Sequence, residues 1–175
     1  MKTLVLLFFC LTLFSGGVSA RNDSSGEYSI EVSVSRCRLY LYDISAGGKR
    51  LVKEYAAATA KKGLGVYPSG NGYVTKIEFQ PAWRPTAYSR WYFKTAKNID
   101  LPAFIPPGHP QNYMGSFKIH LSHQTSKGSV YRIHGNNDSS LIGKRVTGGC
   151  IRLHNGEGEE LAGKISVGTK VIIKN

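Results

Sequence analysis

A cysteine, a histidine and an arginine that could act together lie in the last third of this 175-residue chain. Cys150 follows a Gly-Gly pair and precedes Arg152 by two positions, and His134 lies upstream with Gly135 directly after it. A thiol attacks as the thiolate, which a neighbouring base or cation favours, and glycine-flanked backbone N–H groups can hold an oxyanion. The segment therefore predicts a cysteine nucleophile, with His134 as its base, for acyl transfer through a thioester.

Three other interpretations of Cys150 stay open from these residues alone. Cysteine in a strand is often a small buried core residue. Cys37 is a second cysteine of the chain, and two cysteines in an exported protein can form a disulfide. His120, His123, His134 and Cys150 are conceivable zinc ligands, but their spacing matches no recurrent zinc motif. We therefore rank zinc binding below nucleophilic catalysis.

The start of the chain has the pattern of a cleaved secretory signal. Lys2 precedes an apolar run over residues 4–14, and the small residues that follow predict cleavage after Ala20. The run is shorter than the ~20 residues that a membrane-spanning helix needs. We therefore expect an exported protein with a flexible leader over residues 21–27 and one catalytic domain over residues 28–175.

The charge balance limits the class of partner. The formal net charge is +12, and it falls to +11 without the signal segment, which contains one lysine and no acid. An excess of positive charge favours anionic partners. Export and the scattered positions of the basic residues argue against nucleic acid, so anionic polymers of the cell envelope fit better. A charged surface that only aids solubility is the alternative.

Alternation of apolar and polar residues predicts a mainly β fold. The strand patterns cover residues 28–34, 37–42, 51–59, 73–79, 116–121, 129–133, 150–153 and 170–173. One short helix is predicted over residues 156–164, with acids near its start and a lysine at its end. Residues 61–72 are predicted as a loop. Residues 80–115 are rich in proline and aromatic residues, which predicts a long ordered loop or cap.

The run HGNNDSSLIGKRVTGGCIRL resembles the active-site signature of the YkuD-like L,D-transpeptidases (ErfK/YbiS/YcfS/YnhG type). That signature is His-Gly-Thr, a loop containing Ile-Gly, and then Ser/Thr-x-Gly-Cys-Ile/Val-Arg. Ile142-Gly143 takes the loop position and Thr147 the Ser/Thr position. Upstream, IEVSVSRCRLYLYD, YPSGNGYVT, PAWRPT and QNYMGSFKI resemble further stretches of the family, so the resemblance spans nearly all of residues 28–174.

The resemblance implies a single compact, mainly β domain of mixed sheets, with one short helix and a long aromatic and proline-rich cap loop over a cleft. Cys150 would attack the diaminopimelate carbonyl of a peptidoglycan tetrapeptide stem, release the terminal D-Ala and pass the thioester-bound acyl group to an acceptor amine. His134 would move the proton, and the backbone carbonyl of Gly135 would orient its ring.

The same resemblance implies the remaining site residues. The backbone N–H groups of Gly149 and Cys150 would hold the oxyanion. The expected substrate-binding residues are Arg152, Thr147, Asn136 and Tyr113. No cofactor and no metal is implied.

Three departures from the family pattern affect the expected substrate, one of them the stretch YPSGNGY, which differs from the usual upstream motif. Asn136 stands where threonine is usual, and Gly148 stands where many members have histidine, which leaves His134 as the only base of the motif. An L,D-carboxypeptidase or endopeptidase using the same thioester, and a non-catalytic murein-binding module, are the alternative functions. The expected partners are peptidoglycan stem peptides and an envelope accessory protein. We expect a monomer in the periplasm or cell-wall space of a bacterium.

Overall fold

The computed structural model describes residues 27–124 and 130–175. The predicted signal segment over residues 1–20 and the leader up to residue 26 lie outside the described residues. Within the described ranges, no helix is long and apolar enough to cross a membrane.

The described part of the chain folds into ten strands, two α-helices and one short 3-10 helix. The strands are β1 Tyr28–Ser33, β2 Arg38–Asp43, β3 Arg50–Ala56, β4 Thr59–Ala60, β5 Gly70–Phe79, β6 Phe117–Gln124, β7 Val130–His134, β8 Arg145–Thr147, β9 Ile151–Arg152 and β10 Lys170–Lys174. The helices are α1 Ala87–Lys97 and α2 Asn155–Lys164, and the 3-10 helix is Ser139–Leu141.

Eight strands form one mixed sheet in the order β3-β2-β1-β10-β5-β6-β7-β9. The pairs β1–β10 and β7–β9 are parallel, and the other neighbours are antiparallel. Strands β4 and β8 form a separate parallel pair. The mainly β fold with mixed sheets is therefore confirmed.

The two ends of this sheet approach each other. Ala58 follows β3, which is at one end of the strand order, and Arg152 belongs to β9 at the other end. The Ala58 N–H donates to the Arg152 carbonyl at 2.8 Å, and the Arg152 N–H donates to the Ala58 carbonyl at 2.9 Å. The sheet therefore curls around its core, as the native twist of strands favours.

The core lies inside this curl and is closed by α2. The helix contributes the buried residues Leu161 and Ala162. Gly158 lies so close to Phe117 of β6 that a Cβ atom there would overlap the aromatic ring. Glycine at this position therefore lets the helix approach the sheet closely, beside the start of the strand that leads to the candidate site.

Helix α1 departs from the prediction that residues 80–115 are loop or cap throughout. Its ends have good local signals. The Thr86 hydroxyl accepts a hydrogen bond from the Ser89 N–H at 3.0 Å, and Asn98 takes a left-handed conformation with φ of 52° at the C-terminal end. None of its residues is buried, so the helix contributes no side chain to the main core.

A second, smaller core lies beside α1. It consists of the buried residues Trp83, Leu101 and Ile105, against which Phe93, Ile99, Tyr113 and Met114 pack. The expectation of an ordered cap is met, and the expectation of a single helix is corrected to two. Strand β5 also begins at Gly70, inside the predicted loop over residues 61–72, because this stretch pairs with β10.

Candidate active site

Strands β7 and β9 bring the predicted catalytic residues to one face of the sheet. They are parallel neighbours in the register Ile133↔Ile151 and His134↔Arg152. Because successive side chains alternate between faces, His134 and Arg152 share the face opposite to the buried Ile133 and Ile151. Cys150 directly precedes β9, so its side chain falls on the same face as Arg152.

His134 is almost fully buried, and one ring nitrogen has a fixed partner. Its Nδ1 lies 2.7 Å from the carbonyl oxygen of Gly135. A carbonyl only accepts hydrogen bonds, so Nδ1 carries the proton in the neutral ring and the lone pair is on Nε2. The predicted orienting role of the Gly135 carbonyl has this contact as its structural basis.

The neutral ring is the stable form of His134. Burial lowers its pKa to about 3, and the positive charges of Arg152 and Arg132 act in the same direction. The backbone carbonyls of Gly135 and Met114 act in the opposite direction without reversing the shift. At neutral pH the imidazole is therefore able to accept a proton.

Asn155, at the start of α2, holds the backbone around His134. Its Oδ1 accepts hydrogen bonds from the N–H of Asn136 at 3.0 Å and from the N–H of Ser116 at 3.4 Å. A Cβ atom at Gly135 or at Gly115 would overlap this same oxygen. Both glycines therefore permit the close approach that places one side chain amide between two loops.

Thr147 shapes the turn that presents Cys150. Its hydroxyl donates to the Cys150 carbonyl at 2.6 Å and accepts from the Gly149 N–H at 3.1 Å. Thr147 is 1% exposed and supports the turn from inside, and its contact with substrate stays a prediction. The Gly149 N–H was expected to point to an oxyanion, but it already has Thr147 as its acceptor.

Gly149 is required by both conformation and space. Its φ of +124° lies outside the range that other residues adopt readily, and a Cβ atom would overlap the Tyr131 ring. Gly148, where many family members have histidine, faces open space, since a Cβ atom there would have no neighbour within 4 Å. The first glycine of the pair therefore tolerates a side chain, and the second does not.

Cys150 and Cys37 are both free thiols. Cys37 is 5% exposed, and its sulfur lies 3.4 Å from Thr59 Oγ1 and 3.8 Å from the Val34 carbonyl. It packs as a small core residue between these two groups. The disulfide between the two cysteines, left open by the sequence, does not form in this structure.

Comparison with known protein families identifies the family of this chain. The family model described as YkuD, L,D-transpeptidase catalytic domain, matches residues 27–173. The chain belongs to this family. It is 36% identical over 147 residues to the protein named probable L,D-transpeptidase YcfS of Escherichia coli, and 36% identical over 148 residues to probable L,D-transpeptidase ErfK/SrfK of Salmonella typhimurium. These matches cover 83% and 82% of this chain.

The chain spans less than half the length of these curated relatives, since each match covers 43% of the relative. Solved structures show the same fold. L,D-transpeptidase 3 from Mycobacterium tuberculosis, in complex with a faropenem-derived adduct, has a TM-score of 0.59 at 14% identity, covering 86% of this chain and 61% of its own. An Enterococcus faecium L,D-transpeptidase has a TM-score of 0.58 at 18% identity, covering 85% of this chain and 50% of its own.

Two predicted substrate residues of this L,D-transpeptidase domain have structural partners. The Asn136 side chain N–H donates to the Asp138 carbonyl, whereas its Oδ1 is buried without a partner. Tyr113 packs against Phe93 at a ring-centroid distance of 4.5 Å and against Trp83 at 5.7 Å. Tyr113 therefore belongs to the small core of the cap, and its contact with substrate stays a prediction.

The pKa of the Cys150 thiol of this domain lies above its ordinary value. Burial raises the pKa of Cys150, while a backbone hydrogen bond from Arg132 and the charges of Arg132 and Arg152 only partly counteract this effect. The resting pair is therefore a neutral thiol and a neutral imidazole. Arg132 was not singled out from the sequence, because it has the ordinary position of an outward-facing strand residue.

The other two histidines that were considered as zinc ligands have partners of their own. His120 Nε2 lies 3.1 Å from Glu78, and His123 Nε2 lies 3.1 Å from the Gly70 carbonyl. Among the residues that the structure describes, no group of three or more His, Cys, Asp or Glu side chains is placed to hold a metal ion.

A polar cavity of about 430 Å³ lies beside the loop that carries His134. Its lining includes Gln80, His109, Asn112, Ser116, Asn136 and Asn155. Cys150 does not line this cavity. The cavity therefore adjoins the loop that follows His134 without being lined by the thiol.

Proposed function

We propose that this chain is the catalytic domain of an exported peptidoglycan L,D-transpeptidase with Cys150 as its nucleophile. The observation that carries the proposal is the parallel pairing of β7 with β9, because it brings His134 and Cys150 to one face. The fixed contact between His134 Nδ1 and the Gly135 carbonyl supports Nε2 as the base. Membership of the family supports the substrate class.

The first half of the reaction forms a thioester. Cys150 Sγ bonds to the diaminopimelate carbonyl carbon while its proton moves to His134 Nε2. The carbonyl electron pair becomes an oxyanion, for which the Cys150 N–H is the remaining candidate donor. The oxyanion then collapses, the bond to the D-Ala nitrogen breaks, and His134 returns its proton to that leaving amine.

The second half of the reaction regenerates the thiol. An acceptor amine attacks the thioester and transfers a proton to His134, and the carbon–sulfur bond breaks. The thiolate then recovers the proton from the imidazolium. Because the pKa of His134 is depressed, the imidazolium is a short-lived carrier of the proton between the sulfur and the two amines.

The neighbouring side chains support these steps. Thr147 fixes the turn of Cys150, and Asn155 fixes the backbone of the His134 loop. The excess of positive charge suits an anionic polymer in the periplasm or cell-wall space. We infer that the segment around α1 acts as a lid that limits access of water to the thioester.

The test is incubation of the purified protein with tetrapeptide muropeptides, followed by mass analysis of both the protein and the products. We expect an acyl adduct on Cys150, release of D-Ala and cross-linked dimers. The Cys150→Ala variant should lose all three, and Cys37→Ser, confirmed to be folded, should keep them. Full activity in Cys150→Ala contradicts the mechanism. Tripeptides without dimers indicate a carboxypeptidase, and an unchanged pool indicates a binding module.

A further inference from the structure

Two arginines lie on the same face as the candidate nucleophile. Arg132 is on β7, two residues before His134. Arg152 is on β9, two residues after Cys150. Extending the register His134↔Arg152 back by two residues sets Arg132 beside Cys150, one residue before the β7–β9 pairing begins. A backbone hydrogen bond from Arg132 to Cys150 agrees with this placement.

Neither guanidinium has an acid as its partner among the described residues. The Nε atoms of Arg132 and Arg152 are both buried and make no hydrogen bond. No salt bridge of the described residues includes either side chain. Partly buried charges without a partner lower the stability of a fold. Two such guanidinium groups side by side are therefore expected where a ligand supplies the counter-charge.

The nearby acids are engaged elsewhere. Asp138 is close enough to Arg152 to act on it by charge, but its Oδ1 accepts hydrogen bonds from Ser140 N and Ser140 Oγ. Glu78 binds Lys118, Lys76 and His120. The face around Cys150 therefore has a surplus of positive charge that these acids leave unbalanced.

We propose that Arg132 and Arg152 together form a carboxylate-binding site beside Cys150, which selects acyl donors with a free carboxylate within reach of this site. Guanidinium groups suit this ligand because their N–H donors match the two oxygens of a carboxylate. The proposal rests on the proposed function for the identity of the donor. In a peptidoglycan stem the carboxylate comes either from the terminal D-Ala or from the diaminopimelate side chain.

This site has a consequence for the proton transfer. The charges of Arg152 and Arg132 both disfavour protonated His134. A bound carboxylate offsets these charges, so the imidazole becomes a stronger base when the correct donor is present. Substrate selection and base activation thereby depend on the same two side chains.

The first experiment measures the charge preference of the site through Cys150 itself. The rates of alkylation by iodoacetate, which is anionic, and by iodoacetamide, which is neutral and similar in size, are followed at Cys150 by peptide mass mapping. We expect Arg132→Gln to lower the iodoacetate-to-iodoacetamide rate ratio about tenfold from the wild-type value, and Arg152→Gln to lower it similarly. Arg132→Lys, which keeps the charge, should retain most of the preference.

Arg36→Gln is the matched control, because Arg36 is an exposed arginine in the turn before β2 and its loss changes the net charge equally. It should leave the ratio unchanged. Thermal melting confirms that each variant is folded. An unchanged ratio in folded Arg132→Gln, or an equal fall in Arg36→Gln, overturns the proposal.

The second experiment separates the two sources of the carboxylate. Three tetrapeptide donors are compared: one with both carboxylates free, one with a C-terminal D-Ala carboxamide, and one with an amidated diaminopimelate side chain. The wild type should discriminate against one amidated donor about tenfold or more in acylation rate, and Arg132→Gln should lose that discrimination. Equal acylation of all three by the wild type overturns the proposal.

The two proposals fail in different ways. If the wild type acylates none of the donors but keeps its arginine-dependent preference for iodoacetate, the peptidoglycan function fails and the carboxylate site stands. If the wild type acylates the donors but Arg132→Gln alters neither the alkylation ratio nor the donor preference, the carboxylate site fails and the peptidoglycan function stands.

Discussion

The side chain oxygen of Asn155 accepts the backbone N–H of Asn136 at 3.0 Å, linking the start of α2 to the loop that carries His134. The same oxygen also accepts the N–H of Ser116 at 3.4 Å. One amide group therefore bridges the residues before β6 and after β7. Its position beside Gly135 makes it a positioning residue for the proposed base.

Replacing Asn155 tests this role. Asn155→Ala leaves two partly buried N–H groups without an acceptor, so we expect a loss of about 1–3 kcal/mol in the free energy of unfolding. The kcat for thioester formation should fall about tenfold or more, with a smaller change in KM, because the His134 ring loses its orientation. Asn155→Asp keeps the acceptor oxygen and should restore most of kcat. Equal kcat in Asn155→Ala and the wild type would contradict the assignment.

The glycine pair before Cys150 offers a matched comparison. Gly149→Ala combines a strained φ with overlap against the Tyr131 ring, so we expect a loss of about 2–4 kcal/mol in unfolding free energy and a displaced thiol. Gly148→Ala has open space and should change stability by about 0.5 kcal/mol or less. Chemical denaturation of both variants measures the difference. Equal losses would show that the turn is not constrained at Gly149.

The buried imidazole predicts a pH dependence of stability. The pKa of His134 is about 3 in the folded protein and 6.5 in an ordinary histidine, so the unfolded chain binds more protons between these values. The free energy of unfolding should therefore fall as pH drops below 6.5, by up to about 1.4 kcal/mol per pH unit from this group.

Denaturation curves at pH 7, 6 and 5 measure that slope, and His134→Gln removes the contribution. The Glu78 and Asp43 carboxylates are a separate source of acid sensitivity. Their pKa values of about 2 are below the ordinary values of 4.5 and 3.8, so their contribution is lost only in that more acidic range. A His134→Gln protein with the wild-type slope between pH 7 and 5 would contradict the prediction.

The neutral resting thiol predicts the reactivity of Cys150 in the absence of substrate. Burial raises its pKa above the ordinary value of 9.0, so the thiolate fraction should still be increasing at pH 9. Alkylation of Cys150 by iodoacetamide should therefore accelerate continuously from pH 7 to pH 9. A plateau near neutral pH would instead indicate a preformed thiolate–imidazolium pair. Mass mapping separates this reaction from any at buried Cys37.

Much of the fold could be predicted because its signals are local. Strand alternation indicated β1, β2 and β10 to within about a residue, and the acids and lysine of α2 indicated its extent apart from Asn155. Helix α1 was missed because the proline and aromatic content of residues 80–115 is typical of a long ordered loop. Its Thr86 N-cap, the lysines of its last turn and Asn98 at its end were local signals that could have revealed it.

The residues of the candidate site also divide into those that local sequence signals revealed and those that they did not. Cys150, His134 and Gly135 belong to a contiguous motif, so their types and spacing were enough to single them out. Asn155 and Arg132 act through contacts between segments that are distant in the sequence. Asparagine at a helix start and arginine in a strand are both common for local reasons. Their contacts follow only from the pairing of β7 with β9 and of β6 with β7, which the sequence did not reveal.

The double hydrogen bond between Ala58 and Arg152 has a consequence for how a peptide can be bound. Strand β9 has β7 on one side and Ala58 on the other, so both of its backbone edges are already occupied. A peptide stem cannot extend the sheet beside Cys150 by strand addition, which is a common mode of peptide capture. Recognition must come from side chains above the sheet. The backbone of a stem that contains D-residues does not fit a regular strand of L-residues, so such a stem does not depend on strand addition for binding. Ordinary extended peptides find no free strand edge beside Cys150 to pair with.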